Sequence, residues 1–113
     1  MQRHYLALDL VDEPDLIAEY DRWHQKVWPE IIKSIKDAGV TVMDIYRTAN
    51  RMFMIIEATD DFTFEKMAAM NAANSKVLAW EELMWSFQQA MPGAKPGQKW
   101  VKMDKIFSLP NPE

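Results

Sequence analysis

Two segments rich in β-branched and aromatic residues, TVMDIYRT (41–48) and RMFMIIEAT (51–59), are separated only by Ala49 and Asn50. A two-residue link suits a tight hairpin, in which consecutive strands pair in antiparallel fashion. This hairpin is the strongest constraint on the fold, because the remaining segments must be arranged around two adjacent antiparallel strands.

The segments before the hairpin have two different hydrophobic periods. Residues 3–11 alternate apolar and polar side chains and predict a first strand, whereas residues 16–35 repeat apolar side chains with the period of a helix that Gly39 ends. Pro29 lies inside this helix, where it removes a backbone donor and clashes with the preceding turn. We therefore expect a kink or a break near Trp28.

Helices and one more strand are predicted after the hairpin. In order, they are a helix opened by residues 60–62 and running over 64–73, an interruption at Asn74-Ser75, a helix over 76–90, a loop over 92–98, a strand over 100–109 and a frayed end at PNPE (110–113). The order β-α-β-β-α-β predicts an α+β fold of the ferredoxin-like type, a four-stranded antiparallel sheet with helices on one face. Residues 1–113 are expected to form a single domain.

A sheet that is covered on one face only has a second face to bury. In a domain this small, two copies usually pack sheet against sheet. We therefore predict a homodimer.

The composition argues against several functional classes. The net charge is −4 and the basic residues are scattered, which predicts no nucleic-acid partner. No run approaches the roughly 20 apolar residues that span a bilayer, and the N-terminus lacks a signal-peptide pattern, so we expect a cytoplasmic protein without a membrane partner. Without cysteine there is no thiolate nucleophile and no Cys-ligated metal. The chain also lacks a His-Glu-x-x-His motif and a glycine-rich phosphate loop, so neither a metal nor a cofactor is predicted.

The block EYDRWHQKVWPE (19–30) holds the residues best suited to chemistry. At about 100° per residue, Tyr20, His24 and Trp28 share the helix face that meets the sheet. A buried imidazole or phenol without a partner costs about 1–3 kcal/mol, so both groups need polar neighbours. They either bond within the core or line a cavity, and a lone histidine on an apolar face is more often a core residue.

Polar and aromatic residues of other segments are candidates to meet this block. Tyr46 shares a strand face with Val42 and Asp44, and Glu57 is a second candidate on the next strand. Three further tryptophans, Trp80, Trp85 and Trp100, surround the second helix and the last strand, where a well-filled core is an equally good interpretation.

The sequence resembles the L-rhamnose mutarotase family over nearly its whole length. The family's first helix carries a Tyr-x-x-x-His pair followed by Trp-Pro-Glu, as Tyr20, His24 and Trp28-Pro29-Glu30 do here. Less specific similarities are Ile45-Tyr46, the region of Trp80, Met91-Pro92 and residues 106–110 (IFSLP). The resemblance implies a dimeric α/β barrel that interconverts the α and β anomers of a 6-deoxyhexose without a cofactor, with L-rhamnose as the first candidate.

The resemblance also assigns site residues one by one. It implies that His24 is the catalytic acid/base and that Tyr20 assists it. Sugar contacts are implied for the following residues: Trp28, Tyr46, Trp80 and Trp85. The family commonly has two adjacent tryptophans in the second helix, whereas Glu81 follows Trp80 here and Trp85 is the alternative for the second ring.

Other functions remain compatible with the sequence. An L-fucose mutarotase of the same family differs only in its sugar. A cofactor-free or haem-handling monooxygenase uses the same dimeric fold, and oxygen consumption or haem absorption would reveal it. A ligand-binding or dimerisation module would bind a sugar without accelerating anomer exchange.

Overall fold

The computed structural model describes residues 1–109, so the predicted frayed end at 110–113 lies outside the described residues. The elements in order are β1 (Gln2–Leu10), α1 (Pro14–Trp23), α2 (Pro29–Asp37), β2 (Val40–Thr48), β3 (Arg51–Ala58), α3 (Phe64–Ala72), α4 (Ser75–Trp85), β4 (Gln88–Gln89) and β5 (Val101–Lys102). None of the helices among these residues has the length and apolar character needed to cross a bilayer.

The sheet has the strand order β2-β3-β1-β4, with β5 also paired to β1, and every pairing is antiparallel. This confirms the predicted α+β, ferredoxin-like fold. The predicted count of four strands is wrong, because two short strands, β4 and β5, each pair with β1 and make the sheet five-stranded. The hairpin of β2 and β3 is also confirmed, and its turn uses Ala49 at a φ of 50°.

The predicted break near Trp28 is confirmed, because α1 ends at Trp23 and α2 begins at Pro29. Trp28 has φ −56° and ψ 135°, the extended conformation that a following proline favours. Gly39 ends α2 as expected, at a φ of 100° that a residue with a side chain rarely adopts. The break divides one long amphipathic segment into two shorter helices, α1 and α2.

The helix predicted over residues 76–90 is wrong beyond Trp85. The helix ends there in a tight turn whose hydrogen bonds span three residues. The Ser86 hydroxyl donates to the Leu83 carbonyl at 2.6 Å, and the Phe87 amide donates to the Met84 carbonyl at 3.0 Å. Gln88 then joins the sheet in β4. At the start of α4 the predicted interruption is confirmed, since the side chain of Asn74 caps that helix.

The last strand predicted over residues 100–109 is also wrong in length, since only Val101–Lys102 forms β5. The edge of β1 is shared: Leu10 lies opposite Gln88 of β4, and Leu6 lies opposite Lys102 of β5. Residues 90–100 leave the sheet between these two short strands. The Met103 amide still donates to the Tyr5 carbonyl at 2.9 Å, and residues 104–109 lie outside the strands.

The helices cover one face of the sheet. Along β3 the side chains Met52, Met54, Ile56 and Ala58 are buried against them, while Phe53 lies on the opposite, outer face. Core residues form two clusters, one around Leu8, Tyr20 and Trp80 and the other around Leu6 and Phe62. Every buried side-chain nitrogen or oxygen atom among residues 1–109 has a hydrogen-bond partner.

Candidate active site

A cavity of about 320 Å³ lies between the helices and the inner face of the sheet. The sheet side of its wall is apolar and includes Leu6, Met43, Ile45, Met54 and Ile56. The polar residues of the wall are Tyr20, His24, Ser34, Asn71, Glu81, Gln88 and Lys99. An apolar cavity with a few polar groups, at the small end of the range for ligand pockets, suits a small organic molecule.

His24 lines this cavity at the C-terminal end of α1. Its Nδ1 atom lies 2.9 Å from the carbonyl oxygen of Tyr20. A carbonyl oxygen only accepts hydrogen bonds, so Nδ1 carries the proton. In the neutral ring, Nε2 then holds the lone pair and is the nitrogen that accepts a proton from a ligand.

Tyr20 lies next to His24 and is 4% exposed. The two rings are 4.4 Å apart between centroids, as expected for side chains one helical turn apart. The Nε2 atom of Gln88 donates a hydrogen bond to the Tyr20 hydroxyl at 3.1 Å. Burial raises the pKa of Tyr20 to about 12; the hydrogen bond from Gln88 opposes this rise, and the nearby charge of Asp21 adds to it. The phenol therefore keeps its proton at neutral pH and acts as a donor.

The raised pKa of Tyr20 predicts a loss of stability in strong base. Between about pH 10 and pH 12 the unfolded chain releases this proton while the folded protein retains it, so the free energy of unfolding falls across that window and is unaffected below it. The full difference is about 2–3 kcal/mol. Denaturant unfolding measured at several pH values above 9 is expected to show this component in wild type and to lack it in Tyr20→Phe. The exposed Tyr46→Phe is the control and should retain it; equal pH dependence in wild type and Tyr20→Phe would contradict the assignment.

Trp80 is one of the aromatic residues of the wall, together with Phe64 and Trp100. Its ring centroid is 5.8 Å from that of His24, 5.1 Å from that of Trp28 and 6.3 Å from that of Trp23. Trp28 does not line the cavity, and its ring packs edge to face against that of Trp80. The structure thus brings together Tyr20, His24 and Trp80 at the cavity, with Trp28 in contact with the wall.

Two predicted contact residues lie elsewhere in the chain. Tyr46 is 58% exposed and pairs with Phe53 on the outer face of the sheet, opposite the cavity. Trp85 is 37% exposed at the end of α4, where the ammonium group of Lys99 lies 5.3 Å from its ring centroid. A single chain therefore does not bring either ring to the cavity of His24.

Other cavity residues were not predicted as site residues. Gln88 was assigned to a helix, and its partner Tyr20 is 68 positions away. Lys99 and Trp100 come from the segment between β4 and β5, whose path the sequence does not reveal. For Glu81 the sequence offered one indication of a site role, its position directly after Trp80. In the structure it lines the cavity and is the one carboxylate among the described wall residues.

Residues 1–109 contain no group of three or more His, Cys, Asp or Glu side chains that could hold an ion. The side chains that meet at the cavity include the imidazole of His24, the phenol of Tyr20 and the indole of Trp80.

The fold and the cavity together define a small ferredoxin-like α+β protein with a histidine–tyrosine pair at an internal apolar pocket. A model of the L-rhamnose mutarotase family matches residues 3–109. The chain belongs to this family, whose members are isomerases acting on carbohydrates.

Individual relatives agree with the family assignment. The chain is 42% identical over 111 residues to an L-fucose mutarotase from Xanthomonas campestris pv. campestris, covering 96% of this chain and 89% of that protein. It is 29% identical over 98 residues to an L-rhamnose mutarotase from Enterococcus faecalis, covering 85% and 89%. The crystal structure of an L-rhamnose mutarotase from Formosa agariphila superposes with a TM-score of 0.70 at 20% identity, covering 96% of this chain and 99% of that one. This superposition supports the fold.

Proposed function

We propose that this protein interconverts the α and β anomers of a 6-deoxyhexose by acid/base ring opening at the cavity of His24. The observation that carries the proposal is the hydrogen bond from His24 Nδ1 to the Tyr20 carbonyl, because it leaves Nε2 as a proton acceptor beside a protonated phenol. Mutarotation needs both kinds of group and no redox chemistry.

The reaction moves one proton from the anomeric hydroxyl to the ring oxygen. His24 Nε2 accepts the proton of the anomeric hydroxyl, a C=O bond forms at the anomeric carbon, and the bond from that carbon to the ring oxygen breaks. The imidazolium returns the same proton to the ring oxygen. Its Nδ1–H stays bonded to the Tyr20 carbonyl and becomes a charge-assisted hydrogen bond in the cationic state. The aldehyde group then rotates. In the reverse steps, the former ring oxygen attacks the opposite face of the aldehyde carbon and closes the ring as the other anomer.

Tyr20 and Trp80 have different tasks in this scheme. The Tyr20 hydroxyl donates a hydrogen bond to the ring oxygen while negative charge develops there. The indole ring of Trp80 packs against the apolar C–H face and methyl group of the sugar. Tyr46 and Trp85 were also predicted as sugar contacts, and these roles remain predictions.

Two sugars are candidates for the substrate. L-rhamnose is the sugar in the name of the family, and L-fucose is the sugar of the relative that is 42% identical. These sugars differ in the configuration of ring hydroxyl groups. The cavity residues that can form hydrogen bonds with the sugar hydroxyl groups include Glu81, Asn71 and Lys99.

Exchange NMR of the anomeric protons tests the proposal. Wild-type protein is expected to accelerate exchange of L-rhamnose or L-fucose above the uncatalysed rate, and the faster sugar identifies the substrate. Uncatalysed exchange for both sugars would overturn the mutarotase proposal. Oxygen uptake and haem absorption would then test the monooxygenase alternative, and sugar binding without exchange would indicate a binding module.

We also propose a homodimer in which the outer faces of two sheets meet. The outer face exposes four large apolar side chains, those of Tyr5, Val42, Tyr46 and Phe53. Residues 103–109 add exposed apolar groups next to β5, including Ile106 and Phe107. A second copy supplies a matching apolar surface, since a two-fold interface uses the same patch on both subunits.

Phe53→Glu is expected to convert such a dimer into single chains, because it places a charge at the centre of the apolar outer face. Phe53 is 39% exposed, and its ring lies 6.3 Å from that of Tyr5. Light scattering coupled to size exclusion measures the mass. Ile32→Glu, a matched change at a 44% exposed residue of α2, should leave the mass unchanged. Single chains for wild type would contradict the homodimer.

The remaining expectations belong to the same proposal. One domain over residues 1–113 acts on a free monosaccharide in the cytoplasm, without a nucleic-acid or membrane partner. Cell fractionation followed by immunodetection tests the location.

A further inference from the structure

Gln88 is one of two polar or charged residues that are buried within residues 1–109. The other, Asp9, forms two hydrogen bonds with Arg51 on the neighbouring strand. Gln88 is 8% exposed, lines the cavity and bonds to the hydroxyl of Tyr20. The buried amide of Gln88 is therefore hydrogen-bonded to Tyr20, the one tyrosine among the described cavity residues.

The direction of this hydrogen bond decides where the phenol proton lies. The Gln88 Nε2 group donates, so the Tyr20 oxygen is the acceptor. A phenol has one proton of its own, and this proton then remains available for a second acceptor. No other side chain among the described residues bonds to the Tyr20 hydroxyl, and the cavity adjoins it. A ligand oxygen is the acceptor that the arrangement leaves room for.

The backbone around Gln88 holds the amide in place. Gln88 lies opposite Leu10 in the antiparallel pairing of β4 with β1. One residue earlier, the Phe87 carbonyl accepts a hydrogen bond from the Val11 amide at 2.9 Å. Pairing to the edge of the sheet fixes the Gln88 side chain more firmly than a loop would.

We infer that Gln88 is a positioning residue that holds the Tyr20 hydroxyl with its proton directed to the ring oxygen of the bound sugar. The inference rests on the proposed mutarotase function. Gln88 itself does not exchange a proton with the sugar. Its effect passes through Tyr20, so removing the Tyr20 hydroxyl removes the role of Gln88.

A double-mutant cycle on the anomer-exchange rate tests this dependence. Gln88→Leu keeps the buried volume and removes the donor, and we expect kcat to fall about tenfold while KM changes less than about threefold. Tyr20→Phe is expected to lower kcat by a similar factor. The double variant should be no slower than Tyr20→Phe within about twofold. Gln89→Leu, at the exposed neighbour in the same strand, is the control and should match wild type.

A purely structural role for Gln88 would give a different result. The effects of Gln88→Leu and Tyr20→Phe would then multiply, and the cycle would overturn the inference. Gln88→Leu with wild-type kcat would overturn it as well. Thermal unfolding of each variant identifies loss of fold, and Gln88→Met replaces Gln88→Leu if the leucine variant is unfolded.

Gln88→Glu tests the direction of the hydrogen bond. A carboxylate has nearly the same shape but only accepts, so it would draw the Tyr20 proton away from the sugar. We expect Gln88→Glu to lose at least as much kcat as Gln88→Leu, and wild-type activity in it would overturn the inference. The proposed function fails separately, since that failure shows as a wild-type protein that does not accelerate exchange of either sugar.

Discussion

Replacing His24 by glutamine is expected to lower the rate of anomer exchange by about 10²–10⁴-fold, the range that a positioned acid/base group contributes. The glutamine amide is close in size to the imidazole and keeps a polar group at the cavity, but it does not accept and return a proton near neutral pH. Binding of the sugar should change much less than kcat. Anomeric exchange by NMR, corrected for the uncatalysed rate, measures the loss.

His4→Gln is the matched control, because His4 is the second of the two histidines in the chain and does not line the cavity. His4 instead packs its ring 4.9 Å from that of Phe64 and bonds to Gln2. This variant should exchange anomers at the wild-type rate while folded. If His24→Gln retained full activity, the proton-transfer role of His24 would be wrong, and a binding module would explain the site better.

Replacing Trp80 by alanine is expected to cost about 3–5 kcal/mol of unfolding free energy, as for other large aromatic residues removed from cores. Trp80 is buried and contacts three aromatic rings, those of Trp23, His24 and Trp28. The variant would leave a void that joins the existing cavity and removes the indole wall. Urea unfolding measures the loss of stability. The dependence of the anomer-exchange rate on sugar concentration, measured by NMR on the folded variant, shows the weaker sugar binding.

Trp85→Ala provides the comparison within the same helix. Trp85 is exposed, and its ring makes a cation–π contact with the ammonium group of Lys99. Its loss should cost about 1 kcal/mol or less. Equal costs at both positions would show that the aromatic cluster of Trp80 does not stabilise the core.

Much of the fold could be predicted because the decisive signals are local. The hairpin follows from a two-residue link, and the break before Pro29 follows from the chemistry of proline. The approach of Tyr20 and His24 follows from their spacing of four residues in a helix. These features depend on neighbours in the chain, so the sequence alone determines them.

The parts that could not be predicted depend on distant contacts. Alternation correctly groups Tyr46 with Val42 and Asp44, but it does not tell which face of the sheet the helices cover. The helical period continues past Trp85, whereas pairing with β1 outweighs it and draws Gln88 into the sheet. Lys99 and Trp100 reach the cavity only because residues 90–100 leave the sheet between β4 and β5.

The split edge of β1 also affects how this chain can change over evolution. Because β4 and β5 each pair with β1 on their own, insertions or deletions between residues 90 and 100 need not shift the register of either strand. Lys99 and Trp100 line the cavity from the end of that segment. The lining of the cavity can therefore change through the length of one surface segment, while Tyr20 and His24 on the first helix stay in place.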